Sequence, residues 1–211
     1  MSKEFPQSQT ERSSESYDAE TVKRYMESFR FTPEKLRNKR ILDLGCHEGD
    51  FVNFLLTEGI TDTAYGMDKH LLKESMSTDH FSQGDFRESI PYTDMDTVVS
   101  LAALSLSLHE DVEGTYTAFK NALDSLAIGG KLKIFPIFKD IGKEWEGIIA
   151  EERNLLTVLE RLEKEYDIET ETILIETATD KEGQPDYEKH LLLIRKIGEK
   201  QQGENVFHRR T

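Results

Sequence analysis

The most constraining feature of this sequence is a short apolar strand that ends in a glycine turn and leads directly into a helix. The strand is predicted over residues 40–45, where Asp43 is the only carboxylate and Gly45 is the last residue. A helix is predicted over residues 50–59, because its apolar residues recur at helical spacing. A strand–turn–helix unit of this kind presents backbone N–H groups at the carboxyl edge of a sheet, where ligands bind in open α/β folds.

The alternation of strands and helices continues along the chain and predicts a parallel sheet covered by helices on both faces. Further strands are predicted at residues 63–68, just before Gly84, within the apolar run 97–106 and at 131–138, and further helices at 20–29, 71–76 and 113–126. We expect Asp18 to cap the first of these helices. The pair Gly129-Gly130 is expected to stop the helix that precedes the fifth strand.

The last third of the chain departs from this rhythm. An apolar stripe from Trp145 to Tyr166, which includes Leu156, predicts one long helix with Trp145 in the core. Two β-rich runs follow at residues 168–178 and 190–197, separated by a polar segment that cannot hold a helix. With no helix to connect them, the two strands should pair as an antiparallel hairpin.

The length of 211 residues suits one α/β domain, which we place at residues 19–198 with a helical cover at 19–37. Residues 1–18 and 199–211 lack apolar periodicity and are expected to be flexible tails. The single cysteine excludes an internal disulfide framework and a zinc site built from cysteines, and we predict no metal site. No apolar run approaches the roughly 20 residues of a membrane helix, so we expect a cytoplasmic protein with no membrane partner.

The charge balance bears on the choice of partner. The net charge is −14, from 41 acidic and 27 basic residues. Nucleic-acid affinity depends largely on Lys and Arg side chains that neutralise phosphates, so a chain this acidic should bind DNA weakly or not at all. The charge therefore favours a small-molecule or protein partner and leaves the oligomeric state open.

Three polar positions lie where predicted parallel strands end. Asp43 precedes the first glycine by two positions, where it would repel a pyrophosphate and would suit the ammonium group of an amino acid. Asp68 ends the second strand, where a carboxylate can accept hydrogen bonds from both hydroxyls of a ribose. Asp85 and Phe86 follow the third strand and offer one acceptor for an amine and one ring for a flat base. Together these side chains suit an amino-acid cation, a ribose and an adenine along one sheet edge.

On these residues the chain resembles the class I S-adenosylmethionine-dependent methyltransferases over roughly residues 38–197. The glycine loop of that family resembles residues 43–49, and its turn into the fifth strand resembles residues 126–132. The resemblance implies S-adenosyl-L-methionine as cofactor and a seven-stranded, mostly parallel Rossmann-like sheet in the order 3-2-1-4-5-7-6, with an antiparallel C-terminal hairpin. It also implies a set of cofactor-binding residues, namely Asp43, Gly45, Cys46, His47, Gly49, Asp68, Lys69, Asp85, Phe86 and Ser100.

The sequence departs from the family pattern at two positions. His47 stands where many members have glycine, which is acceptable if its φ is negative. Ile128 replaces the proline that often precedes the glycine pair. The sequence also lacks, at residues 100–103, the Asn/Asp-Pro-Pro-Tyr motif that the family uses to methylate amino groups of bases and glutamine.

The resemblance implies methyl transfer to a small-molecule or protein acceptor, and no catalytic residue can be named because much of such catalysis is alignment of the two reactants. His109 is a candidate for contact with the acceptor, because it follows the fourth strand. A non-catalytic module that binds S-adenosylmethionine or S-adenosylhomocysteine is an alternative, motivated by His47. A nucleotide-dependent oxidoreductase is a third reading, which the spacing of Gly45 and Gly49 disfavours.

Overall fold

The computed structural model describes residues 17–71, 79–109 and 111–200. Its strands form one seven-stranded sheet in the order β3-β2-β1-β4-β5-β7-β6, as predicted. The strands are β1 (Ile41–Leu44), β2 (Ala64–Asp68), β3 (Phe81–Gln83), β4 (Met95–Leu101), β5 (Leu126–Asp140), β6 (Tyr166–Thr179) and β7 (Pro185–Glu199). Strands β1 to β5 pair in parallel, whereas β7 pairs antiparallel with both β5 and β6.

In the described residues, six helices cover the two faces of this sheet. They are α1 (Ala19–Ser28), α2 (Pro33–Leu36), α3 (Asp50–Thr57), α4 (Ala103–Ser107), α5 (Val112–Asp124) and α6 (Glu146–Glu165). Apolar residues of α1 to α3 pack with one another and with Ile41 and Val99 in one core cluster. Residues of α4 to α6 pack with Leu42 and Val98 in a second cluster. Because neighbouring residues of β1 and β4 face opposite clusters, the sheet is buried on both sides.

The start of α1 follows the predicted capping pattern. The Asp18 carboxylate accepts hydrogen bonds from the backbone N–H groups of Glu20 and Thr21, and the Asp18 N–H donates to the Asp50 side chain over 2.9 Å. The Tyr17 ring packs edge-on against Phe54 at a centroid distance of 5.4 Å. Both residues before α1 therefore attach to α3.

Two expectations about glycine and tryptophan are wrong. The pair Gly129-Gly130 does not stop α5, because that helix ends at Asp124 and the glycines lie inside β5. A Cβ atom at position 130 would approach the carbonyl oxygen of Met95 to 2.7 Å, so the glycine permits an irregular pairing with β4 there. Trp145 is not in the core: it precedes α6 and is 51% exposed.

The long helix is otherwise as predicted, except that Leu156 points away from the sheet and is 62% exposed. The hairpin strands extend beyond the predicted runs on both sides. The helix predicted at residues 71–76 falls almost entirely outside the described residues. Within the described part of the chain, no helix combines the length and apolar character that a membrane crossing requires.

We predict that a chain of residues 17–200 keeps the melting temperature of the full chain within a few degrees, since the composition of the removed segments offers little apolar area for burial. A chain of residues 19–198 should melt at a lower temperature, because it lacks the Asp18 cap and the Tyr17 contact. Differential scanning calorimetry of the three chains tests this. A large loss of stability in the 17–200 chain would contradict it.

Candidate functional site

The parallel register brings the predicted polar residues to one edge of the sheet. Asp43 pairs with Gly66 of β2 and with Val99 of β4, so Asp68 and Ser100 lie just beyond it on either side. Asp68 in turn pairs with Gln83, two residues before Asp85. The carboxyl ends of four strands thus meet, with β1 between β2 and β4.

The turn after β1 is built from residues in the left-handed backbone region. Gly45 has a φ of 81°, and its N–H donates to the Met67 carbonyl over 2.8 Å. A Cβ atom at position 45 would lie 2.2 Å from the Cβ of Ala103 at the start of α4. Gly45 is therefore required both by its φ and by the close approach of α4. Gly49, with a φ of 73°, precedes the first turn of α3.

A non-glycine residue at position 47 was acceptable on the condition that its φ is negative. The structure does not meet this condition, because the φ of His47 is 50°. Histidine is among the non-glycine residues that tolerate this region, at a cost of about 1–2 kcal/mol. The His47 backbone N–H donates to Asp68 Oδ2 over 2.9 Å, which joins the β1 turn to the end of β2. This contact is made by the backbone and not by the His47 side chain, so the strained φ of His47 serves to place its N–H group beside Asp68.

Asp43 is the most unusual ionisable group at this edge. Its side chain is fully buried, and neither carboxylate oxygen has a hydrogen-bond partner among the described residues. The pKa of Asp43 is raised to about 7, mainly because the side chain is buried and also because the Asp68 charge lies nearby. The Tyr25 hydroxyl acts in the opposite direction, but it lies outside hydrogen-bond geometry. A buried carboxylate without a partner is costly, and a cation beside it would remove the cost.

Asp68 is held by backbone groups on both of its oxygens. Oδ2 accepts from the His47 N–H, and Oδ1 accepts from the His70 N–H over 2.7 Å. The side chain is only half-buried. Each carboxylate oxygen can accept a second hydrogen bond, so Asp68 keeps capacity for two hydroxyl groups.

Asp85, which follows β3, was expected to be a free hydrogen-bond acceptor, but its carboxylate already has partners. The Asp85 carboxylate is clasped by the guanidinium of Arg87, with the shortest contact at 2.8 Å, and Lys69 Nζ lies 3.4 Å away. These cations hold the pKa of Asp85 well below its usual range. Phe86 is half-buried against the core, and its carbonyl accepts from Asn121. Arg87 was not among the predicted site residues, although its position two residues after an aspartate is compatible with such a clasp.

Ser100 and Cys46 are packed into the scaffold of the turn. The buried Ser100 hydroxyl donates to the Leu44 carbonyl over 3.0 Å and accepts from the Leu104 N–H over 2.9 Å. Ser100 thereby joins the ends of β1 and β4 to the first turn of α4. Cys46 is buried, and burial beside Asp43 raises the pKa of its thiol, which keeps it uncharged. Both positions bear on the shape of the crevice.

Tyr25 and Glu151 are ionisable groups that sequence reasoning did not single out. Tyr25 stacks on Phe51 at a centroid distance of 4.6 Å and faces Asp43. The sequence pattern places Tyr25 on the apolar face of α1, but it does not show that this face meets Asp43 of β1. Glu151 of α6 is fully buried, and its Oε2 lies 3.1 Å from Nε2 of His109. The described residues contain no group of three or more His, Cys, Asp or Glu side chains placed to hold a metal ion.

A cavity of about 840 Å³ lies between α1 and the strands β5 to β7. Its wall carries Lys23, Arg24, Arg30 and Lys189 alongside three glutamates, and Phe135 and Tyr187 add apolar surface. The cavity is distinct from the β1 turn, because none of the residues 43–49 lines it.

Comparison with known proteins identifies the fold. No family model matches the sequence, and no curated protein is close enough to count as a relative. The structure does match the N-methyltransferase NodS from Bradyrhizobium japonicum WM9, with a TM-score of 0.53 and 18% identity over 85% of this chain and 98% of that one. The chain has the class I methyltransferase fold. That assignment confirms the predicted fold and strand order.

Two further solved structures share this methyltransferase fold. The magnesium protoporphyrin IX methyltransferase from Synechocystis PCC 6803, solved with bound S-adenosylhomocysteine, has a TM-score of 0.50 and 15% identity over 83% of this chain and 82% of that one. The arsenic(III) S-adenosylmethionine methyltransferase from Chlamydomonas reinhardtii has a TM-score of 0.51 and 15% identity over 79% of this chain and 65% of that one.

We predict that Gly45→Ala destabilises the protein much more than Gly59→Ala. Both glycines have positive φ, but position 59 has no atom within 4 Å of an added Cβ, whereas position 45 meets Ala103. Gly59→Ala should cost about 1 kcal/mol of unfolding free energy, and Gly45→Ala about 2–4 kcal/mol because overpacking adds to the backbone strain. Urea denaturation measures both. Equal losses would show that α4 can move away from the turn at little cost.

Proposed function

We propose that this chain is an S-adenosylmethionine-dependent methyltransferase that acts on a small-molecule or protein acceptor. The observation that carries the proposal is the fully buried Asp43 carboxylate, which has no hydrogen-bond partner among the described residues and lies beside the glycine turn of a methyltransferase fold. An amino-acid ammonium group is the ligand feature that would satisfy it. A pyrophosphate beside the same carboxylate would be repelled, which argues against a nucleotide-dependent oxidoreductase.

The residues at the sheet edge fit such a cofactor. Asp43 would hold its ammonium group, and Asp68 would accept from the ribose hydroxyls with the lone pairs that its backbone contacts leave free. The half-buried ring of Phe86 would pack against the adenine, with Lys69 and Asp85 beside it. The turn would be shaped by Gly45, Cys46, His47 and Gly49. Ser100 would hold this turn to α4.

The cofactor, when bound, supplies an electrophilic methyl group on a sulfonium. The contribution of this chain would then be positioning, because Asp43 would hold the amino-acid part of the cofactor and Asp68 would hold its ribose. Alignment of this kind can supply much of the rate enhancement without a dedicated base. A neutral Cys46 thiol is consistent with a packing role and not with a nucleophile.

A non-catalytic binding module is the second candidate. It is favoured by the engagement of Asp85 with Arg87 and by the strained backbone at His47. The first feature leaves Asp85 less able to accept a hydrogen bond from a cofactor, and the second strains the turn that would contact it. Neither feature changes the surroundings of the Asp43 carboxylate. Turnover of S-adenosylmethionine to S-adenosylhomocysteine with a panel of acceptors separates the two candidates.

We predict that Asp68→Ala weakens S-adenosylhomocysteine binding by about 2–4 kcal/mol, or one to three decades in Kd, because two charge-assisted hydrogen bonds are lost. Asp68→Asn should lose less, since it keeps one acceptor. The control is Asp62→Ala, at the exposed amino end of β2. Calorimetric titration measures affinity and thermal unfolding checks the fold. Equal affinities in all four proteins would remove Asp68 from the site.

We also predict that S-adenosylhomocysteine binds more tightly as the pH rises from about 6 to 8. Asp43 has a raised pKa of about 7 and attracts an ammonium group only when ionised, whereas the pKa values of Tyr25 and Cys46 are raised, so both stay neutral in this range. Asp43→Asn should bind more weakly and lose this dependence.

The stability of the same variant provides its folding control. The folded-state pKa of Asp43 lies above the usual value, so ionising it in the free protein opposes folding as the pH rises towards 7. Asp43→Asn should therefore melt no lower than the wild type at pH 8. An affinity that changes equally with pH in both proteins would assign the titration to another group.

A further inference from the structure

A second cavity, of about 380 Å³, lies where α6 begins against β5, β7 and the segment that follows α4. Its size falls within the range of ligand sites in proteins. The residues that define its chemistry are His109, Phe138, Trp145, Glu151, Asp186 and Tyr187.

Aromatic rings form much of the wall of this cavity. Phe138 and Tyr187 meet edge to face, with their centroids 5.5 Å apart and their planes at 75°. Trp145 stands at the mouth, half exposed, and its indole Nε1 donates to Asp186 Oδ1 over 3.2 Å. Rings of this kind attract cations through the negative charge on their faces, and cages of aromatic rings bind quaternary ammonium groups.

A buried carboxylate lies inside the same wall. Glu151 is fully buried, and neither of its oxygens has a hydrogen-bond partner among the described residues. His109 Nε2 approaches Oε2 to 3.1 Å without hydrogen-bond geometry. Among the described residues that line the cavity, the other ionisable groups are Asp186 and Tyr187, and none is a lysine or an arginine. The cavity therefore offers negative charge and aromatic faces, but no cation of its own beyond a protonated His109.

The position of the cavity relates it to the candidate cofactor site. Strand β4 ends at Leu101, which pairs with Phe135, whereas β5 continues past this level to Phe138. Helix α4 begins against Gly45 and leads to His109, and Asn154 of α6 holds the end of that segment through the Leu108 carbonyl over 2.7 Å. The cavity thus lies on the carboxyl side of β4 and β5, one short helix away from the glycine turn.

We propose that this cavity binds the cationic nitrogen of the methyl acceptor, and that the acceptor is an amine. The assignment as an acceptor site rests on the proposed methyltransferase function, whereas the cation site stands on the cavity alone. In the proposed reaction the bound ammonium group first gives one proton to the His109–Glu151 pair, which passes it to solvent. The lone pair of the neutral nitrogen then forms a C–N bond with the methyl group, while the C–S bond of the methyl donor breaks and its electron pair stays on sulfur as S-adenosylhomocysteine.

The first test uses Trp145, the only tryptophan of the chain, as a fluorescent reporter at the mouth of the cavity. Choline is titrated against the intrinsic fluorescence, in parallel with dimethylbutanol, its uncharged carbon analogue. We expect a saturable change with choline and a Kd at least about tenfold weaker for the analogue, because cation–π and charge attraction are absent there. Equal affinity for both probes, or no response to choline, would overturn the proposal.

The second test separates the buried carboxylate from its neighbour. Glu151→Gln keeps the shape of the side chain, and Glu152→Gln changes the adjacent, partly exposed carboxylate that does not line the cavity. Choline affinity should fall about tenfold or more in Glu151→Gln and stay unchanged in Glu152→Gln. Thermal unfolding of both variants verifies the fold. The same loss in both variants would assign the effect to overall charge and overturn the site.

The third test distinguishes failure of this proposal from failure of the proposed function. S-adenosylhomocysteine titration needs no acceptor, and choline titration needs no cofactor. With S-adenosylmethionine present, mass spectrometry of a panel of amines, phenols and carboxylates should find methylation of amines, reduced in Glu151→Gln. Methylation confined to phenols or carboxylates would refute the amine assignment while leaving the methyltransferase proposal intact.

Discussion

The contact between Gly45 and Ala103 is the constraint on which the geometry of the crevice depends. A side chain at position 45 would lie 2.2 Å from Ala103, so α4 can approach the β1 turn only because the residue there has no Cβ. The Ser100 hydroxyl then joins the ends of β1 and β4 to α4 through two buried hydrogen bonds. This arrangement places Asp43, Asp68 and the start of α4 around one point, and it directs the segment with His109 towards α6.

Electrostatics adds a second level of organisation to this scaffold. Asp43 and Glu151 are both fully buried carboxylates without hydrogen-bond partners among the described residues, and both have a raised pKa of about 7. Each is an energetic cost that a bound cation would remove. Asp43 lies next to the turn that meets the start of α4, and Glu151 lies beside His109, which follows the end of α4. Asp85, by contrast, already has its cation in Arg87.

Much of the fold could be predicted from local patterns. The short strand β1, the amphipathic helices and the helix-free gap between the last two strands predicted a mostly parallel sheet with an antiparallel hairpin, and the family resemblance implied the strand order that the structure has. The failures came from long-range contacts. Gly129-Gly130 was interpreted as a helix stop, but a carbonyl of β4 requires the glycine inside β5. Trp145 was assigned to the core as the first residue of an apolar stripe, yet its indole donates to Asp186 of β7 at the surface.

By itself the sequence determined the order of elements and the edge at which Asp43, Asp68 and Asp85 come together, because parallel strands connected by helices bring their carboxyl ends to one side. Only the tertiary structure decided whether each of these carboxylates is buried and whether it is paired with a cation. Burial, which depends on Tyr25 and the surrounding elements, left Asp43 without a partner, while a neighbouring guanidinium neutralised Asp85. The second cavity also depends on parts that are far apart in the chain, since His109 follows α4, Glu151 lies in α6 and Tyr187 lies in β7, and no local pattern encodes their meeting.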